Sequence, residues 1–291
     1  MPDTSLTAPV LAWYAAHARD LPWRASQRTP WDVLVSEVML QQTPVDRVLP
    51  AWEAWLARWP DPAALAAAPT GDAVRQWGRL GYPRRALRLH AAAVACVERF
   101  DGRVPASYED LRSLPGVGDY TAAAVLAFAY GRRALVLDTN VRRVLARVLD
   151  GAEHPRPSVT VAERAAADAV LPDDDATAAT WSVAVMELGA LVCTASSPRC
   201  EACPLLDRCA WGADGRPAYD GPQRTAQRFA GTDRQVRGLL LSVLRDTHGP
   251  VPLAALDAVW ADDVQRARAL DGLVADGLVD PLPDGRYALP S

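Results

Sequence analysis

Four of the chain's five cysteines, Cys193, Cys200, Cys203 and Cys209, form a C-x6-C-x2-C-x5-C run. Four thiolates brought into one short loop are a set of soft ligands for a metal centre. Two disulfides would use the same residues. However, the segment from Met1 to Asp20 lacks a basic start, an apolar run and a small-residue cleavage site, and nothing else in the chain reads as secreted. No stretch approaches the roughly 18 apolar residues of a membrane span, so a cytoplasmic protein with no membrane partner is expected. Structural zinc sites pair two short C-x2-4-C units and this run contains one, which favours an iron–sulfur cluster and leaves zinc as the alternative. Cys96 stands apart in the apolar helical stretch from Ala86 to Phe100 and reads as a buried core thiol.

Upstream, Leu114-Pro115-Gly116-Val117-Gly118 lies between two helical patterns. Gly116 and Gly118 let backbone N–H groups approach a phosphate, and the next helix, starting near Tyr120-Thr121, would aim its positive end at the same anion. A Pro-Gly turn between helices means little alone. Here it is followed about twenty residues later by Leu137-Asp138-Thr139-Asn140-Val141-Arg142-Arg143, a carboxylate set among arginines. The formal net charge of −4 would argue against a polyanionic partner only if charge were evenly spread. It is not: Arg75, Arg79, Arg84, Arg85 and Arg88 form one acid-free cluster, and Arg132, Arg133, Arg142, Arg143 and Arg147 form a second with only Asp138 among them. Flanking a Gly-rich hairpin, the clusters favour phosphate contact over a merely solvated face.

These residues need a scaffold, and the scaffold reads as helical. A length of 291 residues suggests about two domains, and 50% hydrophobic content is ample for packed cores. Apolar residues recur at helical spacing in Val33 to Leu40, Ala122 to Ala129 and Thr180 to Val192, with no convincing strands before the final residues. Trp31, Trp52, Trp55, Trp59 and Trp77 fall at helical spacing and read as core. The chain has no lysine and a single asparagine, Asn140, so it holds no side-chain amine able to form a Schiff base with an opened sugar. After a Pro/Gly/Arg linker at 213–231, residues 232–291 read as three helices (234–245, 253–259, 261–276) and a short hairpin at 278–289 turning on Pro283-Asp284-Gly285, a small winged-helix-like domain. Its six arginines against nine aspartates argue against phosphate tracking and leave a packing or protein-contact role beside DNA binding.

Hairpin, aspartate and cysteine loop in this order resemble the helix-hairpin-helix DNA glycosylase superfamily with its iron–sulfur loop. Within it, Leu21-Pro22-Trp23-Arg24, Ser36-Glu37-Val38-Met39-Leu40-Gln41-Gln42-Thr43, Leu80-Gly81-Tyr82 and Met186-Glu187-Leu188-Gly189-Ala190 are similar to the MutY-type adenine glycosylases, over roughly residues 6 to 222. The resemblance implies an all-α fold: a six-helix barrel at 23–130 carrying the helix-hairpin-helix, and a cluster domain from 1–22 and 131–212. It also implies a [4Fe–4S] cluster on the four cysteines. The partner would be double-stranded DNA containing A:8-oxoG or A:G mispairs, bound by a monomer in the cytoplasm at the nucleoid.

Cleaving a purine N-glycosidic bond requires an acid for the leaving group and a carboxylate for the oxocarbenium-like sugar. Glu37, in an otherwise apolar helix, is expected to be kept protonated by burial and to serve adenine N7; Asp138, beside a helix N-terminus and arginines, is expected to stay ionised and face the sugar. By resemblance, Tyr120 occupies the position where strand-cutting relatives carry a lysine nucleophile, so the product is an abasic site, and Asn140 joins the catalytic pocket. Gln42 and Tyr82 resemble the wedge that fills the gap left by an extruded base, and Arg19, Trp23 and Arg24 resemble the adenine-pocket entrance. The sequence departs from the family twice. Val183 stands where relatives carry a polar base contact, and the chain stops too soon for the Nudix-like domain that MutY enzymes commonly carry. A thymine glycosylase acting on T:G mispairs is the nearest rival, and a noncatalytic iron–sulfur damage binder or redox sensor the next.

Overall fold

The computed structural model describes residues 4–221 and 229–291, so part of the linker expected at 213–231 lies outside the described residues. Helices carry most of the described chain, and the only sheet among the described residues is a small three-stranded one at 251–288. None of the described helices is long and apolar enough to cross a membrane. Helix starts follow local chemistry. Asp138, Thr160 and Asp174 each accept a hydrogen bond from the backbone N–H three residues on, opening the helices Thr139–Leu149, Val161–Ala169 and Asp175–Leu191. Gly131, at φ 61°, closes Asp119–Tyr130 in the left-handed conformation that a Cβ would disfavour.

The described chain forms two compact units, each discontinuous in sequence. The first comprises residues 4–33, 106–112 and 117–221. Its core joins Leu6 and Val10 of Thr4–His17 to Val141, Val144 and Val148 of Thr139–Leu149 and to Trp181, Val185 and Leu188 of Asp175–Leu191, with Cys193, Cys203 and Cys209 packed on its edge. A smaller cluster sets Ala123, Ala124 and Ala127 of Asp119–Tyr130 against Val136, with Tyr120 and Met186 alongside.

The second unit comprises residues 34–105, 113–116 and 229–291. Trp52, Trp55 and Trp77 are fully buried in it, Trp55 meeting Trp59 and Trp77 edge-on at ring distances of 4.7 and 5.7 Å. Cys96 is buried as expected, and burial pushes its thiol up to about 11. The C-terminal residues run helix Asp233–Asp246, strand β1 Val251–Pro252, helices Leu253–Asp257 and Asp263–Ala275, then strands β2 Asp280–Pro281 and β3 Arg286–Ala288, in sheet order β1-β3-β2. That is winged-helix order. The sequence reading found the hairpin but missed β1, a two-residue strand whose Val251 pairs with Tyr287, because two residues carry no period.

This domain is not an appendage. Its core includes Val74 and packs against Leu87. Arg75 donates to the carbonyls of Leu244, Arg245 and Thr247 at the C-terminus of Asp233–Asp246, and Arg84 pairs with Asp276. Two arginines expected at phosphates therefore have intramolecular partners instead.

Candidate functional site

Asp138 is half-buried at the N-cap of Thr139–Leu149. Its Oδ1 accepts from the Val141 backbone N–H at 2.6 Å and its Oδ2 from the Asn140 amide at 2.9 Å. Arg143 holds Asn140 in turn: its Nη2 donates to Asn140 Oδ1 and to the Gly189 carbonyl, both at 2.7 Å, and its Nε donates to the Cys193 carbonyl at 2.8 Å. Gly189 has no room for a side chain, since a Cβ there would lie 2.7 Å from Asn140 Cβ. Three of the arginines read beside Asp138 have other partners. Arg142 is paired with Glu163, Arg147 bonds the cysteine loop, and Arg133 donates to the Pro172 carbonyl. Burial consequently outweighs the two hydrogen bonds and the Arg143 charge, and the Asp138 carboxyl lies above its usual range.

Glu187, one helix away, is the opposite case. It is 0% exposed, yet Arg19 donates to it from Nε, Nη2 and its backbone N–H at 2.8 to 3.0 Å, and Arg24 from Nη2 at 2.8 Å. Burial works to raise this carboxyl, but the two guanidinium groups hold it at about 2. The residues Arg19 and Arg24, read as a pocket entrance, thus direct their charge at Glu187, with Trp23 buried in the turn Pro22–Arg24 between them. Glu187 was not among the site residues read from the sequence. Its signal was available, as the one acid in the otherwise apolar helix Asp175–Leu191 beyond its first residue.

Glu37, Gln42, Tyr82 and Gly116 belong to the second unit, whereas Asp138, Asn140, Tyr120, Gly118, Arg19, Trp23, Arg24 and the four cysteines belong to the first. Glu37 is 5% exposed in Pro30–Leu40. Gln42 and Tyr82 share an uncommon backbone: both have positive φ, 57° and 46°, and Tyr82 is 48% exposed. The two hairpin glycines differ in what they do. Gly116, at φ 80°, would set a Cβ 2.7 Å from Arg88 Cβ, so turn conformation and packing both require it. Gly118 is the N-cap of Asp119–Tyr130 and has open space where a Cβ would stand, which leaves the helix N-terminus approachable. That helix starts at Asp119, just before the expected Tyr120, and Asp119 is paired with Arg112 and Arg164.

All five cysteines are unpaired, and Cys193, Cys200, Cys203 and Cys209 line one pocket with Val144, Val148 and Trp211. Four sulfurs around one zinc ion would close on a single point with bonds of about 2.3 Å. A lining of four soft thiols fits a zinc ion or an iron–sulfur cluster. Arg147, 1% exposed, donates to Cys193 Sγ at 3.2 Å and to the Thr194 carbonyl at 2.8 Å, with its guanidinium 4.5 Å from the Trp211 ring. It supplies positive charge where thiolates must be held.

Comparison with known proteins places the chain in a family. Residues 35–167 match the HhH-GPD superfamily of base excision DNA repair proteins, and residues 193–209 match the iron–sulfur binding domain of endonuclease III. An adenine DNA glycosylase of Mycobacterium tuberculosis is 53% identical over the whole of this chain and 97% of its own length. A thymine-DNA glycosylase of Aeropyrum pernix is 37% identical over 70% of this chain and 93% of its own. Among solved structures, a thermostable thymine-DNA glycosylase superposes with TM-score 0.65 at 24% identity, covering 72% of this chain and 96% of that one, a likeness of fold.

Proposed function

We propose, from the premise that the chain belongs to the HhH-GPD superfamily and within it to the adenine DNA glycosylases, that Glu37 and Asp138 divide the hydrolysis of adenine from its deoxyribose between them. The enzyme is an adenine DNA glycosylase with an iron–sulfur binding domain at 193–209. In the proposed reaction the Glu37 carboxyl delivers its proton to adenine N7, and the base leaves as neutral adenine while positive charge builds on the sugar. The Asp138 carboxylate meets that charge or captures C1′ covalently, and water completes hydrolysis to an abasic site. Asn140, fixed by Arg143, keeps one Asp138 oxygen oriented, and Tyr120 hydrogen-bonds nearby. Cys193, Cys200, Cys203 and Cys209 would hold the [4Fe–4S] cluster, which would cross-link their loop; hydrolysis moves no electron.

The observation that supports this most is the hold on Asp138, whose two oxygens are fixed by an amide and a backbone N–H, with no ion pair among the described residues. The substrate is proposed to be double-stranded DNA bearing adenine opposite 8-oxoguanine or guanine, bound by one copy of the chain on the cytoplasmic nucleoid. The Gly118 end of Asp119–Tyr130 is proposed to take a phosphate, and Gln42 and Tyr82 to fill the gap left by the extruded base. One observation favours thymine opposite guanine instead. Val183 is apolar and half-buried, and Ser182 beside it donates to the Ala178 carbonyl at 3.0 Å, so this turn of helix offers an extruded base no polar side chain from either residue.

Single-turnover assays on duplexes containing A:8-oxoG, A:G, A:C and T:G, with and without hot alkali, separate the readings. Alkali-dependent cleavage at adenine, fastest opposite 8-oxoguanine, is the expected result. Cleavage confined to T:G would replace the proposed substrate, and cleavage without alkali would overturn the monofunctional reaction.

A further inference from the structure

Arg85 is 5% exposed, and none of its partners is a carboxylate. Its Nη1 donates to the carbonyls of Val38 and Met39 at 2.9 Å and of Gln41 at 2.6 Å; its Nη2 donates to Thr43 Oγ1 at 2.9 Å and to the Gly81 carbonyl at 3.0 Å. The guanidinium lies 5.0 Å from the Trp77 ring and 5.6 Å from the Tyr82 ring. Its Nε has no partner. A buried cation satisfied only by neutral oxygens is expensive to keep, and stability alone is better served by an apolar side chain of similar volume.

The partners share one property. Val38 and Met39 close the last turn of Pro30–Leu40, the helix that carries Glu37, where carbonyls have no intrahelical donor. Gln41 and Thr43 flank Gln42, and Gly81 precedes Tyr82. Those two residues stand at φ 57° and 46°, a region unfavourable to a residue with a side chain, which persists only where surroundings over-determine it. A single planar fork therefore ties the end of the Glu37 helix to both strained turns, and a second link, Thr43 Oγ1 to the Leu80 carbonyl at 3.4 Å, joins the turns directly.

We propose that Arg85 is a positioning residue that sets Gln42 and Tyr82 in their inserting conformation before DNA arrives, and registers them against the Glu37 helix. This rests on the reading of Gln42 and Tyr82 as wedge residues. A strained pair held in advance need not be ordered during insertion, and that raises the rate of base extrusion. Arg85 touches neither base nor sugar in this role and acts through the two turns.

The test uses full-length protein loaded with its cluster, on duplexes carrying 2-aminopurine beside the A:8-oxoG mispair. Unstacking on insertion brightens that probe. Arg85→Lys keeps the charge and loses the fork; it is expected to slow single-turnover adenine release about 100-fold and to abolish most of the fluorescence rise, with helical circular dichroism and cluster absorbance unchanged. Placing the adenine in a bulge, already extrahelical, should restore at least a tenth of wild-type release. Thr43→Val removes one tooth of the clamp with little change in shape, and a loss of about 3- to 10-fold with a partial fluorescence loss is expected even if Arg85→Lys proves too unstable to purify. Tyr82→Ala tests the wedge reading by itself: unchanged fluorescence there would sink that reading, whatever Arg85 does. With Tyr82→Ala impaired, the clamp is overturned by a normal fluorescence rise in Arg85→Lys, or in Thr43→Val where Arg85→Lys cannot be purified. It is equally overturned by an Arg85→Lys loss that bulged substrate does not relieve or that adds in full to that of Tyr82→Ala.

Discussion

Two carboxylates of the first unit, Glu187 and Asp138, are both pushed up by burial and end on opposite sides of the ordinary carboxylate range. Glu187 sits at about 2, while Asp138 is pushed above its usual range. The difference lies in the partners. Two guanidinium forks bring full positive charge to Glu187, and their hydrogen bonds overcome its desolvation. Asp138 receives only dipoles, an amide and an N–H, with its nearest cation one residue removed behind Asn140. The first arrangement makes a fixed strut for the Arg19–Arg24 segment. The second leaves a carboxylate whose charge is incompletely answered, the property that its proposed role beside a developing sugar cation needs.

Substitution should separate the two most strongly at Asp138. Asp138→Asn retains an oxygen for the Val141 cap and removes the charge; adenine release in single turnover should fall about 1,000- to 10,000-fold with the fold intact. Normal release would break the comparison at its root. At Glu187 the larger effect is on stability. Glu187→Gln leaves two arginines without their anion, and because Arg19 is 36% exposed the cost should sit at the low end for a broken buried pair, about 2 to 3 kcal/mol in denaturant melts.

Acid titration sharpens the contrast. Because the folded Glu187 carboxyl is depressed, its contribution is complete above the unfolded value near 4.3 and disappears as pH falls towards about 2, so the Glu187→Gln deficit should shrink across that window. Asp138 has the reverse sign. Its folded carboxyl is raised, so the ionised form burdens the fold; Asp138→Asn should melt level with wild type below about pH 4 and somewhat higher at neutral pH. An Asp138→Asn protein that melts lower at neutral pH would show that the carboxylate is better compensated than its contacts indicate. The smallest effect belongs to Ser182→Ala, which removes only a hydroxyl bonded within its own helix; melting within about 0.5 kcal/mol of wild type and unchanged choice between A:8-oxoG and T:G are expected.

The arginine clusters show where sequence reading stops. Ten residues of one sign around a hairpin read naturally as a phosphate track, yet Arg75 caps a C-terminal helix, Arg84 pairs with Asp276, Arg85 is buried, and Arg142, Arg143 and Arg147 serve Glu163, Asn140 and the cysteine loop. Nothing in a one-dimensional pattern distinguishes a cation facing solvent from one whose acceptor lies 46 or 170 residues away. The tryptophans were legible for the converse reason: an apolar ring at helical spacing has one favourable destination, and all five are buried.

The sequence by itself determined the helical class, the four-cysteine run, the hairpin and the absence of lysine, because each depends on residue type and short spacing. Glycine, proline, cysteine and apolar period act within a few residues of themselves. Tertiary structure alone decided which charges answer one another. It made Glu187 a strut, left Asp138 short of positive charge, set Arg85 between the turns of Gln42 and Tyr82, and joined the winged helix to Val74. An ion pair or buried fork is fixed by distance in space, and distance in space is what a chain acquires only on folding.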